Sequence, residues 1–401
     1  MLKDIVRAYK KYPNNAAFVI DGTSYTYKEV FARVQGIMPS VQGTQGDIIG
    51  IVAEDRIETY ASILAVLLSG KTYVILHPSY PASQNRTIAE ITGMNIVLHS
   101  TLSEIVESLP DGMKCISTLE LRDDTPGENL LDIEHDEDTN AYIIFTSGST
   151  GVPKGVQITR KNLNAFYETY RHLDWRLGPT DRMLQMFELT FDVSVVSTLY
   201  PLTLGACIYT VGSDKLKYMR VYELMEDEEL THVTIPPSVL QFLSPYFDEI
   251  HVPKLKFLVV TAEAANADLL ERFRPCAPNA EFVNFYGPTE ATIYCTVYLI
   301  PRENCKHHNG MIAIGKPFKG IETLIMDEKG HPVIPGEQGE LWVSGDQIMA
   351  GYWKDREKTE QVFARVDGEI YYKTGDLCHV DSDGDIIYRG RKDYQVKVQG
   401  F

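Results

Sequence analysis

No apolar run in this sequence approaches the roughly 20 residues that a membrane-spanning helix requires. The longest of note, Ile63–Leu68, closes at Ser69-Gly70 and reads as a core helix, so no membrane span is expected. The opening residues Met1–Lys10 are charged throughout and lack the apolar stretch of a secretory leader. Cysteine pairing is missing too: the six cysteines, at 115, 207, 276, 295, 305 and 378, contain no C-x-x-C. That scatter gives neither a metal site nor a disulfide framework, and it fits a reducing cytoplasm as the expected location. Positive charge is scarce, with 38 Lys and Arg against 55 Asp and Glu and a net charge of −17. A broad nucleic-acid footprint needs a basic face, which argues against nucleic acid as a partner. A local anion site is still allowed, because distant charge is screened within about 8–10 Å. Of ten histidines only His307-His308 is clustered, no spacing beside it suggests a ligand set, and a solvated loop is expected there. The chain shows no internal repeat and no low-complexity linker.

What is present suits a soluble globular protein: 401 residues, 44% hydrophobic and 23% charged, long enough for two or three packed units. Helices and strands alternate from the start. Ala17–Ile20 reads as a strand and Asp21-Gly22 as a turn, followed by a helix from about Thr26 to Gly36. Strands at Ile48–Val52 and Thr72–Leu76 flank the apolar helix that ends at Gly70. The rhythm continues with a helix near Lys161–Arg171 and strands at Thr231–Ile235 and Phe257–Thr261, the pattern of an α/β sheet with buried strands. After about residue 300 short strands joined by turns take over, at Glu322–Met326, Glu340–Val343, Glu369–Tyr372 and Ile386–Tyr388. They predict a small β-rich subdomain.

The stretch from Tyr142 to Val156 carries the first chemistry. A strand, Tyr142–Phe145, runs into Thr146-Ser-Gly-Ser-Thr-Gly-Val-Pro-Lys-Gly155, and a second strand resumes at Val156–Thr159. Gly148, Gly151 and Gly155 can reach positive φ and bring backbone N–H groups close to a ligand. Thr146, Ser147, Ser149 and Thr150 add hydroxyl donors, and Lys154 adds a cation. A phosphate cradle is one reading, and an ordinary Gly/Ser hairpin is another, although such hairpins usually run two to five residues. A Walker A loop needs G-x-x-x-x-G-K-[ST] leading into a helix, whereas Lys154 lies between Pro153 and Gly155 and precedes a strand.

Three further segments stand out. In Asn284–Tyr294 a strand breaks at Gly287-Pro288 and exposes Thr289 and Glu290 on the turn. A carboxylate beside a hydroxyl suits Mg²⁺, which takes one or two carboxylates plus phosphate oxygens. Tyr286 is suited to stack on a base; the alternative for this segment is a turn with Thr289 capping a helix. In Tyr371–Leu377, Asp376 follows a glycine at a strand end, placed either to accept ribose hydroxyls or simply as a solvated turn residue. Asp192 in Phe191-Asp-Val-Ser194 borders an apolar run, Val193–Leu204, so it is expected to be buried and to need a partner. Helix capping by Asp192 or Ser194 is one explanation, and a counter-ion for a substrate ammonium is the other.

In order along the chain these segments resemble the core motifs of the adenylate-forming enzyme superfamily. The likeness is to its amino-acid-activating members, the adenylation domains of nonribosomal peptide synthetases and the D-alanine–carrier protein ligases. It rests on Thr146–Gly155, Phe191–Ser194, Tyr286-Gly-Pro-Thr-Glu290, Gly339-Glu-Leu-Trp-Val-Ser-Gly345 with Gly351-Tyr352, Tyr372–Asp376 and Gly390-Arg-Lys-Asp-Tyr-Gln-Val-Lys397. Weaker likeness reaches back to Tyr25–Glu29 and Tyr73–Pro78. The resemblance implies the acyl-CoA synthetase/luciferase-like N-terminal core, with two α/β sheets in residues 1–300, a small β-barrel-like subdomain over 301–392, and a hinge with the stub of a lid at 393–401.

The resemblance also implies roles. Thr146, Ser147, Gly148, Ser149, Thr150, Gly151 and Lys154 would hold the ATP phosphates, and Glu290 the Mg²⁺. Thr289 would contact the α-phosphate or the substrate carboxylate. Tyr286 would stack on adenine, with Gly287 beside it. Asp376 and Arg391 would hold the ribose, and Tyr388 would pack next to it. Asp192 would pair with an α-ammonium in a pocket lined also by Val193, Val196, Thr234, Val259, Thr261, Phe285, Ile293 and Tyr294. None of those others is charged, so the expected substrate is a neutral amino acid, and Phe285 with Tyr294 favour a small one. The implied reaction makes aminoacyl-AMP and pyrophosphate, and a phosphopantetheinylated carrier protein then takes the acyl group. Acyl- or aryl-CoA ligation and a non-catalytic nucleotide-binding core are the alternatives. The sequence departs from the family at Ile75 and His77, where proline and aspartate are usual. It also stops at Phe401, where about a hundred family residues would form a mobile lid. On that expectation the lid is absent and catalysis is impaired.

Overall fold

A computed structural model describes residues 1–101, 104–123, 135–146, 153–212 and 217–392. The chain divides into two compact units. The first is Met1–Thr180 with Phe187–Ser213 and Met349–Asp355; the second is Asp181–Met186 with Asp214–Ile348 and Arg356–Phe401.

In the first unit a seven-stranded sheet runs Gly351–Tyr352, Lys154–Thr159, Asn140–Thr146, Thr72–Leu76, Ile48–Val52, Ile96–His99, Lys114–Ser117. Its central strands are parallel, and Ile48–Val52 and Thr72–Leu76 are buried at every position. Short uncharged runs rich in β-branched residues form such strands because both faces are covered. The helix Ile57–Leu68 is likewise buried along its whole length. Thr26 and Glu29 close a capping box at the start of the helix Tyr27–Gln42. That helix passes the Gly36 end expected from sequence. Gly36 serves packing, since a Cβ there would lie 2.5 Å from the Arg122 backbone nitrogen.

In the second unit His232–Ile235, Phe257–Val260 and Glu281–Tyr286 pair in parallel, and Thr296–Ile300 returns antiparallel. The expected β-rich region is an antiparallel five-stranded sheet. At its centre Glu369–Val380 pairs with Gly339–Gly345, Phe363–Val366 and Ile386–Arg391, while Ile321–Met326 adds to Gly339–Gly345. His307-His308 is not a loop: it pairs with Met311-Ile312 in a hairpin whose turn, Asn309-Gly310, has φ of +49° and +81°. An Asn-Gly turn is a strong hairpin signal that the sequence reading passed over.

Candidate functional site

The residues singled out in the sequence fall in both units. In the first unit Thr146 ends the strand Asn140–Thr146 and stands in register with Lys154. Ser147, Gly148, Ser149, Thr150 and Gly151 lie outside the described residues. Gly155 does not use positive φ as the sequence suggested. It lies inside the strand Lys154–Thr159, where a Cβ would come within 2.9 Å of Ile143 and 3.0 Å of Phe145. The Lys154 ammonium donates to the Tyr352 hydroxyl at 3.0 Å and lies 4.6 Å from the centroid of that ring. Tyr352 can hold it there because Gly351-Tyr352 is the next strand of the sheet. The Thr146 hydroxyl is buried and makes no hydrogen bond among the described residues.

Asp192, also in the first unit, is buried at the head of the helix Val193–Leu204. It occupies the N-cap position, yet its side chain makes no capping bond, and Ser194 Oγ instead donates to Phe191 O at 2.6 Å. Side-chain capping is therefore not what Asp192 does. Val193 and Val196, three residues apart and so on one helical face, are buried beside it. Burial first, and then the Asp192 charge, push the Tyr73 and Tyr142 hydroxyls well above their ordinary pKa. Both phenols therefore stay protonated beside the carboxylate. His77, the departure from the family motif, is buried 3.6 Å from a Glu188 carboxylate oxygen, and the Asn85 side chain bonds its backbone N–H and carbonyl.

In the second unit strand register builds an apolar wall. Thr234 pairs with Val259, and Val259 with Val283. Since side chains alternate, Thr261 and Phe285 share that face. Phe285 stacks on Tyr294 with centroids 4.7 Å apart and planes 11° from parallel. Thr234, Val259, Thr261, Phe285, Ile293 and Tyr294 are all buried. Glu290 is buried as well, not exposed as the turn suggested. The segment Thr289–Ala291 is a 3₁₀ turn entered through Pro288, with no side-chain cap from Thr289, and the chain folds back so that Cys295 N–H bonds Tyr286 O at 2.8 Å.

Asp376 is the centre of a second group. Its strand does not end at Gly375 but continues to Val380, because Gly375 takes φ +74° and a register shift at Leu377/Cys378 lets the strand bend without breaking. This puts Asp376 opposite Arg391, whose Nη1 donates to Asp376 Oδ1 at 3.1 Å and to Thr374 O at 3.2 Å. The Tyr286 hydroxyl donates to the other carboxylate oxygen. Burial, with the adjacent carboxylate next in weight, holds that hydroxyl well above its usual pKa and keeps it a donor. Tyr388, on the same strand as Arg391, pairs opposite Cys378. Gly375 is required there, since a Cβ would lie 2.8 Å from an Arg391 nitrogen.

Each donor set, taken by itself, has the chemistry to bind part of a nucleotide. Each carboxylate oxygen has two lone pairs, so Asp376 can accept ribose hydroxyls while keeping Tyr286 and Arg391. The Thr146 hydroxyl and the Lys154 ammonium suit phosphate oxygens. No cluster of three or more His, Cys, Asp or Glu able to hold a metal occurs among the described residues; a single carboxylate such as Glu290 is the kind of oxygen donor that Mg²⁺ takes beside phosphate and water. All six cysteines are free, and no helix among the described residues is long and apolar enough to cross a membrane.

The fold and these residues define a protein of the adenylate-forming class. The family described as AMP-binding enzyme matches residues 5–353, and the chain belongs to that family. It is 31% identical to novobiocin biosynthesis protein H of Streptomyces niveus, over 98% of this chain and 66% of that protein. To zwittermicin A synthase ZmaJ of Bacillus cereus it is 32% identical, over 97% of this chain and 75% of that protein. The crystal structure of the Vibrio cholerae adenylation domain AlmE, in complex with glycyl-adenosine-5'-phosphate, superposes with a TM-score of 0.89 at 26% identity, over 99% of this chain and 80% of that one. The chain thus corresponds to the N-terminal core of amino-acid-activating, adenylate-forming enzymes and spans only part of the length of these relatives. Sequence reasoning overlooked Tyr352 as the anchor of Lys154. It was within reach, since it lies in a quoted motif.

Proposed function

We propose that this chain takes part in activating a neutral, small amino acid with ATP and Mg²⁺, giving aminoacyl-AMP and pyrophosphate, and that the acyl group passes to the thiol of a phosphopantetheinylated carrier protein. The observation that carries the reading is Asp192, a buried carboxylate at the head of an apolar helix whose side chain does not cap that helix. A substrate ammonium is a positive partner of the kind a buried carboxylate takes. The uncharged wall of Thr234, Val259, Thr261 and Phe285 supports a neutral side chain. AlmE, the solved relative with a glycyl adenylate, supports a small one.

In the reaction the amino-acid carboxylate attacks the α-phosphorus of ATP and pyrophosphate leaves. Tyr286, Asp376 and Arg391 orient the nucleoside, and Thr146 and Lys154 steer phosphate oxygens. Thr289 contacts the reacting phosphate or carboxylate. Glu290 would hold Mg²⁺, which when bound would supply charge neutralisation on the phosphates. No protein nucleophile takes part, so catalysis is positioning and electrostatics.

The test is calorimetry with a non-hydrolysable ATP analogue, comparing amino acids with their des-amino acids. A preference of at least a hundredfold for the amine-bearing ligand supports the proposal. Equal affinity rejects it in favour of acyl- or aryl-CoA ligation. Amino-acid-dependent exchange of pyrophosphate into ATP, measured on the chain alone and fused to a family lid, separates an enzyme from a nucleotide-binding core: no exchange in either form rejects catalysis.

A further inference from the structure

Thr292 and Ile293, in the second unit, are consecutive β-branched residues with φ of +55° and +74°. Backbone of that kind is costly for a β-branched side chain and persists only where its surroundings hold it. The holder is Gln347, a residue only 2% exposed. Its Nε2 donates to Ala291 O at 2.8 Å and to Tyr294 O at 2.5 Å, so one amide bridges the two carbonyls that flank the left-handed pair. An amide has two N–H hydrogens, and both are used. Thr292 closes the clamp by donating from Oγ1 to Gln347 O at 2.5 Å. The loop also fits tightly against the end of the strand Glu281–Tyr286, since a Cβ on Gly287 would lie 2.5 Å from Ile293 O.

We infer that Gln347 is a positioning residue for amino-acid selectivity. By holding Thr292 and Ile293 in the left-handed region it fixes where Ile293 and Tyr294 stand on the apolar wall, and so which side chains that wall admits. It acts through the loop, without touching substrate. This inference rests on the proposed amino-acid activation.

The test uses the whole chain with Gln347→Ala, which removes both donors, and Gln347→Glu, which keeps the length but has no donor when ionised. Two measurements are made. The first is hydrogen exchange over residues 289–298, in which the Tyr294 amide bonds Thr292 O and the Cys295 amide bonds Tyr286 O. The second is the Kd of glycine, alanine, valine, leucine and phenylalanine, taken with a non-hydrolysable ATP analogue present. The expected result is at least tenfold faster exchange at those two amides in both variants. The Kd ratio between the preferred and next-best amino acid should shrink at least fivefold, with affinity for the ATP analogue within twofold of wild type. In Gln347→Glu both effects should diminish as the pH is lowered and the carboxyl regains a proton to donate. Unchanged exchange overturns the clamp. Faster exchange with the Kd ratios intact, or an equal weakening towards every amino acid, overturns the selectivity role. A wild-type chain that binds none of the five overturns the activation reading and with it the selectivity role, while the exchange data still decide the clamp.

Discussion

Replacing Asp192 by Asn removes one charge and almost no volume, which makes it the most informative substitution in the chain. Asp192 is 7% exposed, so the carboxylate acts through a medium that screens far less than water. For an ammonium at a contact separation of about 4 Å and an effective dielectric near 20, the attraction is about 4 kcal/mol. Losing one partner of a buried ion pair costs a similar ~3–5 kcal/mol. At about 1.4 kcal/mol per factor of ten, the amino acid should bind Asp192→Asn at least a hundredfold more weakly than wild type. The loss is confined to ligands that carry the ammonium. Des-amino acids should bind Asp192→Asn about as well as wild type, because they carry no ammonium for the carboxylate to meet. Isothermal titration with the ATP analogue present reads both ligands, and titration of the analogue alone should be unchanged. Amino-acid affinity within threefold of wild type would refute the counter-ion role.

Tyr286→Phe keeps the ring for stacking and deletes the donor to Asp376. A hydrogen bond to a charged group contributes roughly 1.5–3 kcal/mol, so ATP-analogue affinity should fall at least tenfold, and an unchanged affinity counts against a nucleoside role for the pair. Gly375→Ala forces a Cβ onto φ +74° and to within 2.8 Å of Arg391, and should cost at least about 1 kcal/mol in urea unfolding while weakening nucleotide binding; wild-type stability would show that the strand accommodates it. His232 is fully buried, and burial lowers its pKa from 6.5 to about 4, against a smaller opposing pull from Asp181. The unfolded chain therefore binds more protons between those values, so the contribution of this group to stability is fully present above about pH 6.5. It is lost as the pH falls towards 4, on the order of 3 kcal/mol in all. Urea titrations should show this acid loss in wild type and a shallower one in His232→Gln; parallel profiles would assign the loss to other groups.

Much of the fold was legible because its signals are local. Ile48–Val52 and Thr72–Leu76 declare themselves as buried strands by short runs without a charged residue, rich in β-branched side chains, and the structure places strands at those same residues. Thr26 and Glu29 announce a helix start three residues apart. Where the reading failed, a glycine or a turn was taken for its commonest meaning. Gly36 was read as a helix end and Gly155 as a flexible loop position, yet both are small because a neighbour comes close. Gly375 was read as a strand end, and it bends a strand that continues. The burial of Glu290 was not legible either, since a turn sequence looks the same whether it faces solvent or folds back on its own strand.

The sequence by itself determined the family and the chemical alphabet of the site. Motif order and residue type survive in one dimension, and the donors, the carboxylates and the lysine are all named there. Tertiary structure decided which of these groups meet. Asp376 finds Tyr286 and Arg391 across 90 and 15 residues, Lys154 finds Tyr352 across 198, and Gln347 reaches Ala291 and Tyr294 across 56 and 53. Such pairings depend on strand register and on where a left-handed backbone turns the chain, and both are fixed by packing between distant segments. A side-chain amide that steadies a strained loop leaves no periodicity and no spacing to read, so Gln347 became visible only once the chain had folded around it.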